Sequence, residues 1–176
     1  MPLIQFTSNV SLIVAMCEGR GIGYKGQIPW HSKADLAHFY KLTKGKGNNA
    51  VIMGSTTWKS LPNKMLPGRN NFILSSTLNL HSIMKDGHII KTFENSDAVI
   101  KYCNLMKYDE VWIIGGESIY KQFLDLKIVN KCYISTIDAV YECDTFFPDL
   151  NENDWKLDEN YTLPDSIINV DVWCKI

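Results

Sequence analysis

At 176 residues, with 45% hydrophobic and 21% charged side chains, the chain has the make-up of an ordinary globular protein with a substantial core, and one domain over 1–176 is expected. A formal net charge of −1 leaves no electrostatic footprint for nucleic acid or an anionic membrane surface. The longest strongly apolar run, near 12–17, is far too short to span a bilayer, and no Lys or Arg precedes Arg20, so neither a membrane anchor nor a secretory signal is expected.

The first element is a strand over 10–17, VSLIVAMC, whose nearly continuous apolar run suits burial on both faces. CEGRGIGYKGQIPW (17–30) follows, with four glycines in fourteen residues. Gly19, Gly21 and Gly23 superficially match a dinucleotide fingerprint, but Lys25, Gly26 and Pro29 stand where that motif requires a helix. A hinged loop beside a site is the better expectation, with a plain surface loop as the alternative.

An amphipathic helix is predicted over 33–44. At about 100° per residue, Asp35 shares the apolar arc with Leu36, Phe39, Leu42 and Thr43, opposite Lys33, Lys41 and Lys44. Two explanations of this carboxylate stand side by side. Ser32 is a candidate N-cap, so Asp35 could complete a capping pair in the first turn. Alternatively it is a buried acid that binds a polar ligand or handles a proton.

A second strand, NAVIM (49–53), runs into Gly54 and the hydroxyl residues Ser55, Thr56 and Thr57, which open a helix over 55–61. In KMLPGRNNFILSS (64–76), Pro67-Gly68 predicts a type II turn that sets Arg69 at the start of a strand over 71–76. Such an arginine either grips a carboxylate in a bidentate fork or is merely solvated. GHIIK (87–91) is a further strand, and a helix over 95–106 has Ser96 as its candidate cap and Val99, Ile100, Cys103 and Met106 as its apolar face. EVWII (110–114) then leads through Gly115-Gly116 into a helix over 117–125. Small residues there admit close backbone approach, and a helix amino terminus attracts phosphate, although a purely structural turn has the same pattern. Beyond 130, KCYISTIDAVY, WKLDENYTL and IINVDVWCKI lack helical spacing and predict an antiparallel meander finishing the sheet. Several strand-end loops in one parallel sheet point to a ligand across the carboxyl ends of the strands.

The five cysteines form no close pair and are expected to be reduced thiols in a cytoplasmic-type compartment. His31 and His38 are seven apart and no HExxH occurs, so no metal site is expected.

Seven blocks in one order, LIVAM, GIGYKGQIPWHSKADLAHF, VIMGSTTWKSLP, LPGRNNFILSS, IIGGESIY, ISTID and CDTFFPD, make the chain from about 11 to 176 resemble the dihydrofolate reductases. That resemblance implies a single-domain α/β fold, with a central mostly parallel sheet, antiparallel carboxyl-terminal strands and about four flanking helices. It implies NADPH-dependent reduction of 7,8-dihydrofolate to tetrahydrofolate, antifolates as inhibitors, and a cytoplasmic monomer with neither nucleic acid nor membrane as partner.

Carried over by position, the resemblance makes Asp35 the acid that meets the pterin amino group, Trp30 the residue that orients a water beside it, and Ser135 the hydroxyl bonded to the acid. Ile13 (through its carbonyl), Ala15, Leu36, Phe39, Leu61, Leu66 and Ile114 become the substrate walls, and Arg69 binds the tail carboxylate. Ala15, Ile22, Gln27 and Tyr120 lie near the nicotinamide. Gly54, Ser55, Thr56 and Thr57, the Gly115-Gly116 turn with Glu117, Ser118 and Ile119, and Ser75 and Ser76 line the remainder of the cofactor. Asp144 matches an acid that tethers the closed loop.

Two departures stand out. Ser55, Thr56 and Ser118 occupy positions where the family commonly has basic residues for the 2′-phosphate, so those charge-assisted contacts are missing and the margin over NADH narrows. The amino-terminal MPLIQFTS is an extra segment to which no function is assigned. The rival functions are a riboflavin-pathway pyrimidine reductase, against which the Pro29-Trp30 to Asp35 spacing and the LPGR arginine argue, and a non-catalytic folate- or nucleotide-binding protein.

Overall fold

A computed structural model describes residues 8–176, so that MPLIQFT of the amino-terminal segment falls outside the described residues. The apolar runs form the centre of a nine-stranded sheet: β1 (Asn9–Cys17), β3 (Asn49–Gly54), β4 (Asn70–Leu74) and β7 (Glu110–Gly115). Around them lie β5 (His81–Ile83), β6 (Ile89–Phe93), β8 (Lys131–Ile137), β10 (Trp155–Thr162) and β11 (Asn169–Lys175), in the order β10-β11-β8-β1-β7-β3-β4-β6-β5. The pairings from β8 to β6 are parallel, while β11 on β8, β10 on β11 and β5 on β6 are antiparallel.

Side-chain alternation along the strands sorts the core onto two faces. Leu12, Ile52, Phe72 and Ile113 pack with Val99 and Cys103 of α3 (Ser96–Met106) and Phe123 of α4 (Glu117–Asp125). Ile13, Val51, Met53, Ile73 and Trp112 face the other way, against Phe39 and Leu42 of α1 (Lys33–Lys44) and Trp58 of α2 (Ser55–Ser60). The strands therefore read as unbroken hydrophobic runs because both faces are covered.

Several sequence expectations need correction. The strand placed at 71–76 ends at Leu74, because Ser75 Oγ accepts the N–H groups of Thr77 and Leu78 and turns the chain. The strand placed at 87–91 begins at Ile89, and an exposed partner, β5, precedes it without an apolar signature. A two-stranded ribbon of β2 (Gly21–Gly23) and β9 (Thr145–Phe146) has no counterpart among the strands expected from the sequence. The carboxyl-terminal strands are not a simple meander, since β8 runs parallel to β1 and β11 inserts between β8 and β10. The helix over 55–61 stops at Ser60.

The cap of α3 is Asn95, not Ser96: its side chain accepts the Ala98 N–H at 3.0 Å. Asn95→Ala is expected to cost about 1 kcal/mol and Ser96→Ala only a few tenths, as read from urea midpoints; the reverse ranking would restore Ser96 as the cap.

Candidate active site

The site begins where the sheet splits. β1 and β7 stay in register from Asn9 opposite Glu110 to Leu12 opposite Ile113, and then part. Each keeps its outer neighbour: β1 follows β8 to Ile137, and β7 follows β3 to Gly115. Into the fork comes Tyr120 of α4, whose buried hydroxyl lies 2.8 Å from the Ile13 carbonyl oxygen and 2.9 Å from that of Ile114, donating to both. Burial raises the Tyr120 pKa far above its usual value, so the donor stays protonated.

A cavity of about 1040 Å³ opens beyond this fork, across the carboxyl ends of the strands. Ala15 of β1, Gly54 of β3 and Ile114 of β7 form its floor, with Tyr120 beside them. Ile22 and Gln27 approach from the glycine-rich loop, and Ser75 and Ser76 from the turn after β4. Ser55, Thr56 and Thr57 open α2 on one side, and Gly116, Glu117, Ser118 and Ile119 open α4 on the other. Neither helix start has a side-chain cap, since Gly54 and Gly116 are the N-cap residues. Their first N–H groups therefore have no capping side chain as acceptor.

Gly115 is the one expected cofactor residue outside this lining; it lies buried under the Tyr120 ring and joins Gly116 through a cis peptide bond. The Glu117 carboxylate accepts the Phe146 N–H at 3.0 Å and so faces β9. The sequence did not single out Glu94, Asn95, Lys121 or Gln122, which also line the cavity. Glu94 and Asn95 follow β6, and the rule that ligands gather at strand carboxyl ends could have found them.

A second cavity of about 300 Å³ adjoins the first, sharing Gln27, Ile28 and Ser60 with it. Trp30, Asp35 and Leu36 line this one. The helix cap and an inward-facing Asp35 carboxylate occur together. Ser32 caps α1 by accepting the Asp35 N–H at 3.2 Å, while the half-buried carboxylate is hydrogen-bonded by buried Ser135 of β8. Burial pushes the Asp35 carboxyl up to about 6, opposed by the Ser135 hydrogen bond. The Trp30 indole Nε1 is a buried donor without a protein partner, and its ring lies 5.6 Å from that of Tyr141.

Ile13, Phe39, Leu61 and Leu66 line neither cavity; they belong to the apolar cluster that packs against α1 and α2. Arg69 lies farther along. The solvated alternative fails, because Arg69 is only 1% exposed. Its Nη1 donates to Thr43 Oγ1 at 2.9 Å, its Nε donates to the Pro67 carbonyl at 3.0 Å, and its guanidinium sits 5.1 Å from the Tyr40 ring centre. Gly68, at φ +76°, supplies the left-handed corner of the turn that aims it. Arg69 lines neither cavity; it meets α1 at Thr43, about 12 Å along the helix from Asp35.

The glycine-rich loop is held to the segment before β9. The Asp144 N–H donates to the Gly23 carbonyl at 2.9 Å, and its carboxylate accepts the Lys25 N–H at 3.0 Å. Among the described residues no cluster of His, Cys, Asp and Glu could hold a metal ion, and no helix is long and apolar enough to cross a membrane.

A family model described as dihydrofolate reductase matches residues 9–171. Curated proteins named dihydrofolate reductase are similar over most of their length. The one from Staphylococcus haemolyticus is 40% identical, over 84% of this chain and 81% of its own. That from Haemophilus influenzae is 38% identical over 84% of each, and that from Heliothis virescens 32% identical over 89% of this chain and 88% of its own.

The raised Asp35 pKa has a stability consequence. The folded protein binds this proton more tightly than the unfolded chain, so the contribution is fully present below about pH 4 and is lost as pH rises through about 6. Asp35→Asn is therefore expected to exceed the parent in stability by about 1–2 kcal/mol at pH 7.5, after allowance for partial exposure, and to match it at pH 4. Urea midpoints across this range test it, and a pH-independent difference would contradict the assignment.

Proposed function

The chain belongs to the dihydrofolate reductase family and reduces dihydrofolate to tetrahydrofolate with a nicotinamide cofactor, and from that premise we propose that NADPH is the hydride donor and Asp35 the proton-handling group. The observation that carries this assignment is the pair of adjoining cavities, one ending at two uncapped helix starts and the other holding a single half-buried carboxylate.

The residues present fit a dinucleotide. The N–H groups at the start of α4, with Thr57 and the hydroxyls of Ser55, Thr56 and Ser118, would hold its phosphates, and Lys121 is a cation on the same wall. When bound, the reduced nicotinamide supplies a hydride to C6 of the pterin. Ile22 and Gln27 would cover that ring from the loop, and closure held by Asp144 would exclude bulk water.

Asp35 would anchor the pterin amino group and N3 side. As an ionised group it polarises the ring and favours protonation at N5, with the orphaned Trp30 N–H holding the water that delivers the proton. Ser135 steadies the carboxylate. The Ile13 and Ile114 carbonyls each retain a second lone pair for the pterin amino group. Leu36, Phe39, Leu61 and Leu66 would flank the aromatic middle of the substrate, and Arg69 would take its tail carboxylate. We propose further that the described chain acts as one cytoplasmic, monomeric catalytic domain open to antifolates.

Asp35→Asn is expected to slow the hydride step about 10²–10⁴-fold at pH 7 and to recover below pH 6, where the substrate arrives protonated. Single-turnover rates against pH measure this, and a flat profile near the parental rate would exclude the role. Arg69→Ala should weaken dihydrofolate binding by about 2–5 kcal/mol while leaving a tail-less pterin unaffected. Equal losses for both ligands would make Arg69 purely structural. Loss of absorbance at 340 nm, followed with each cofactor, should give a higher kcat/KM with NADPH; parity with NADH would show that the hydroxyls at 55, 56 and 118 do not read the 2′-phosphate.

A further inference from the structure

Two thiols that the mechanism leaves unused meet at the base of the glycine-rich loop. Cys17 ends β1, and Cys143 precedes β9 by two residues, 126 positions away; their sulfurs lie 3.7 Å apart. Gly21 lies directly beneath them. A Cβ there would overlap Cys143 Sγ and come within 3.1 Å of Cys17 Sγ, so the absence of a side chain makes room for both sulfurs. We propose that Cys17 and Cys143 are a redox pair that closes to a disulfide and fastens the glycine-rich loop to the Asp144 segment.

The geometry assigns the two thiols different parts. Cys17 is 1% exposed, whereas Cys143 is only half-buried and open to a small oxidant. With glutathione disulfide as oxidant, the Cys143 thiolate attacks one glutathione sulfur and releases one glutathione thiol, forming a mixed disulfide. The Cys17 thiolate then attacks Cys143 Sγ and expels the second glutathione. The protein loses two protons and two electrons, and one glutathione disulfide becomes two glutathione thiols. Closing the bond needs about 1.7 Å of sulfur approach, within reach of side-chain rotation over an empty glycine. Burial and the Cys17 contact hold the Cys143 thiol above its usual range, so exchange is faster at mildly alkaline pH.

The bond would add a covalent link to two segments otherwise joined by noncovalent contacts, among them the Arg20 side chain donating to the Phe147 carbonyl and the Phe147 N–H donating to that of Arg20. Gly21 and Gly23 pair with Phe146 and Thr145 in the β2–β9 ribbon, and Asp144 adds its bonds to Gly23 and Lys25. A two-stranded ribbon of this length is marginal by itself. A covalent link at its base would hold the loop that carries Ile22 and Gln27 against the larger cavity. The effect on turnover rests on the proposed reductase mechanism; formation of the link does not.

The full chain is incubated with glutathione disulfide at pH 8.5, and peptides are mapped by mass spectrometry without reduction. The expected product has Cys17 joined to Cys143, has lost the mass of two hydrogens, and reverts with dithiothreitol. Cys143→Ser should give no such link. Retention of both free thiols, a stable glutathione adduct at Cys143, or a link from either residue to another cysteine would overturn the proposal. Oxidised parent protein should turn over at least about threefold more slowly than reduced protein, while Cys143→Ser is unchanged by the same treatment. Linked protein that keeps the reduced rate would refute control of the loop even with the bond established.

Discussion

The parting of β1 from β7 governs the remainder of the site. Two neighbouring parallel strands cannot separate in a dry interior unless the carbonyls they abandon find other donors. The Tyr120 hydroxyl supplies one donor to both Ile13 and Ile114, from a helix that starts immediately after β7. Because α4 begins at that point, its open amino terminus also falls on the same cleft. One side chain thus makes the fork tolerable, and the five-residue distance from Gly115 places the helix start beside it. Remove that hydroxyl and the strands would gain by closing, at the expense of the space between them.

The carboxylate of Asp35 illustrates a second constraint. Burial without a cationic partner disfavours the charged form, and Ser135 offsets only part of that cost. At neutral pH the free protein therefore holds this group at a disadvantage, which a ligand offering N–H donors removes. Such local conflict is characteristic of a binding site, where stability yields to complementarity.

Much of the layout was legible in the chain. The nearly continuous apolar runs at 10–17, 49–53 and 110–114 read as strands covered on both faces, and α1 occupies the predicted 33–44 with Ser32 as its cap. The position of Asp35 on the apolar arc was likewise visible, as was the turn that aims Arg69. What stayed hidden depends on distant partners. His81–Ile83 has no apolar pattern and becomes a strand only because β6 offers an edge. The insertion of β11 between β8 and β10 leaves no trace in periodicity. The fork at Tyr120 and the meeting of Cys17 with Cys143 join residues more than a hundred positions apart, beyond any local pattern.

The position of β1 also affects the chain during synthesis. Its neighbours are β7 and β8, so the segment VSLIVAMC is made before every other described strand and must wait for residues up to 137 before both of its edges are paired. Until then it is a flat, apolar, uncharged stretch of backbone with free N–H and C=O groups, the kind of segment most prone to associate with other chains. The strand that anchors the finished sheet is thus the part of the nascent chain most in need of shelter.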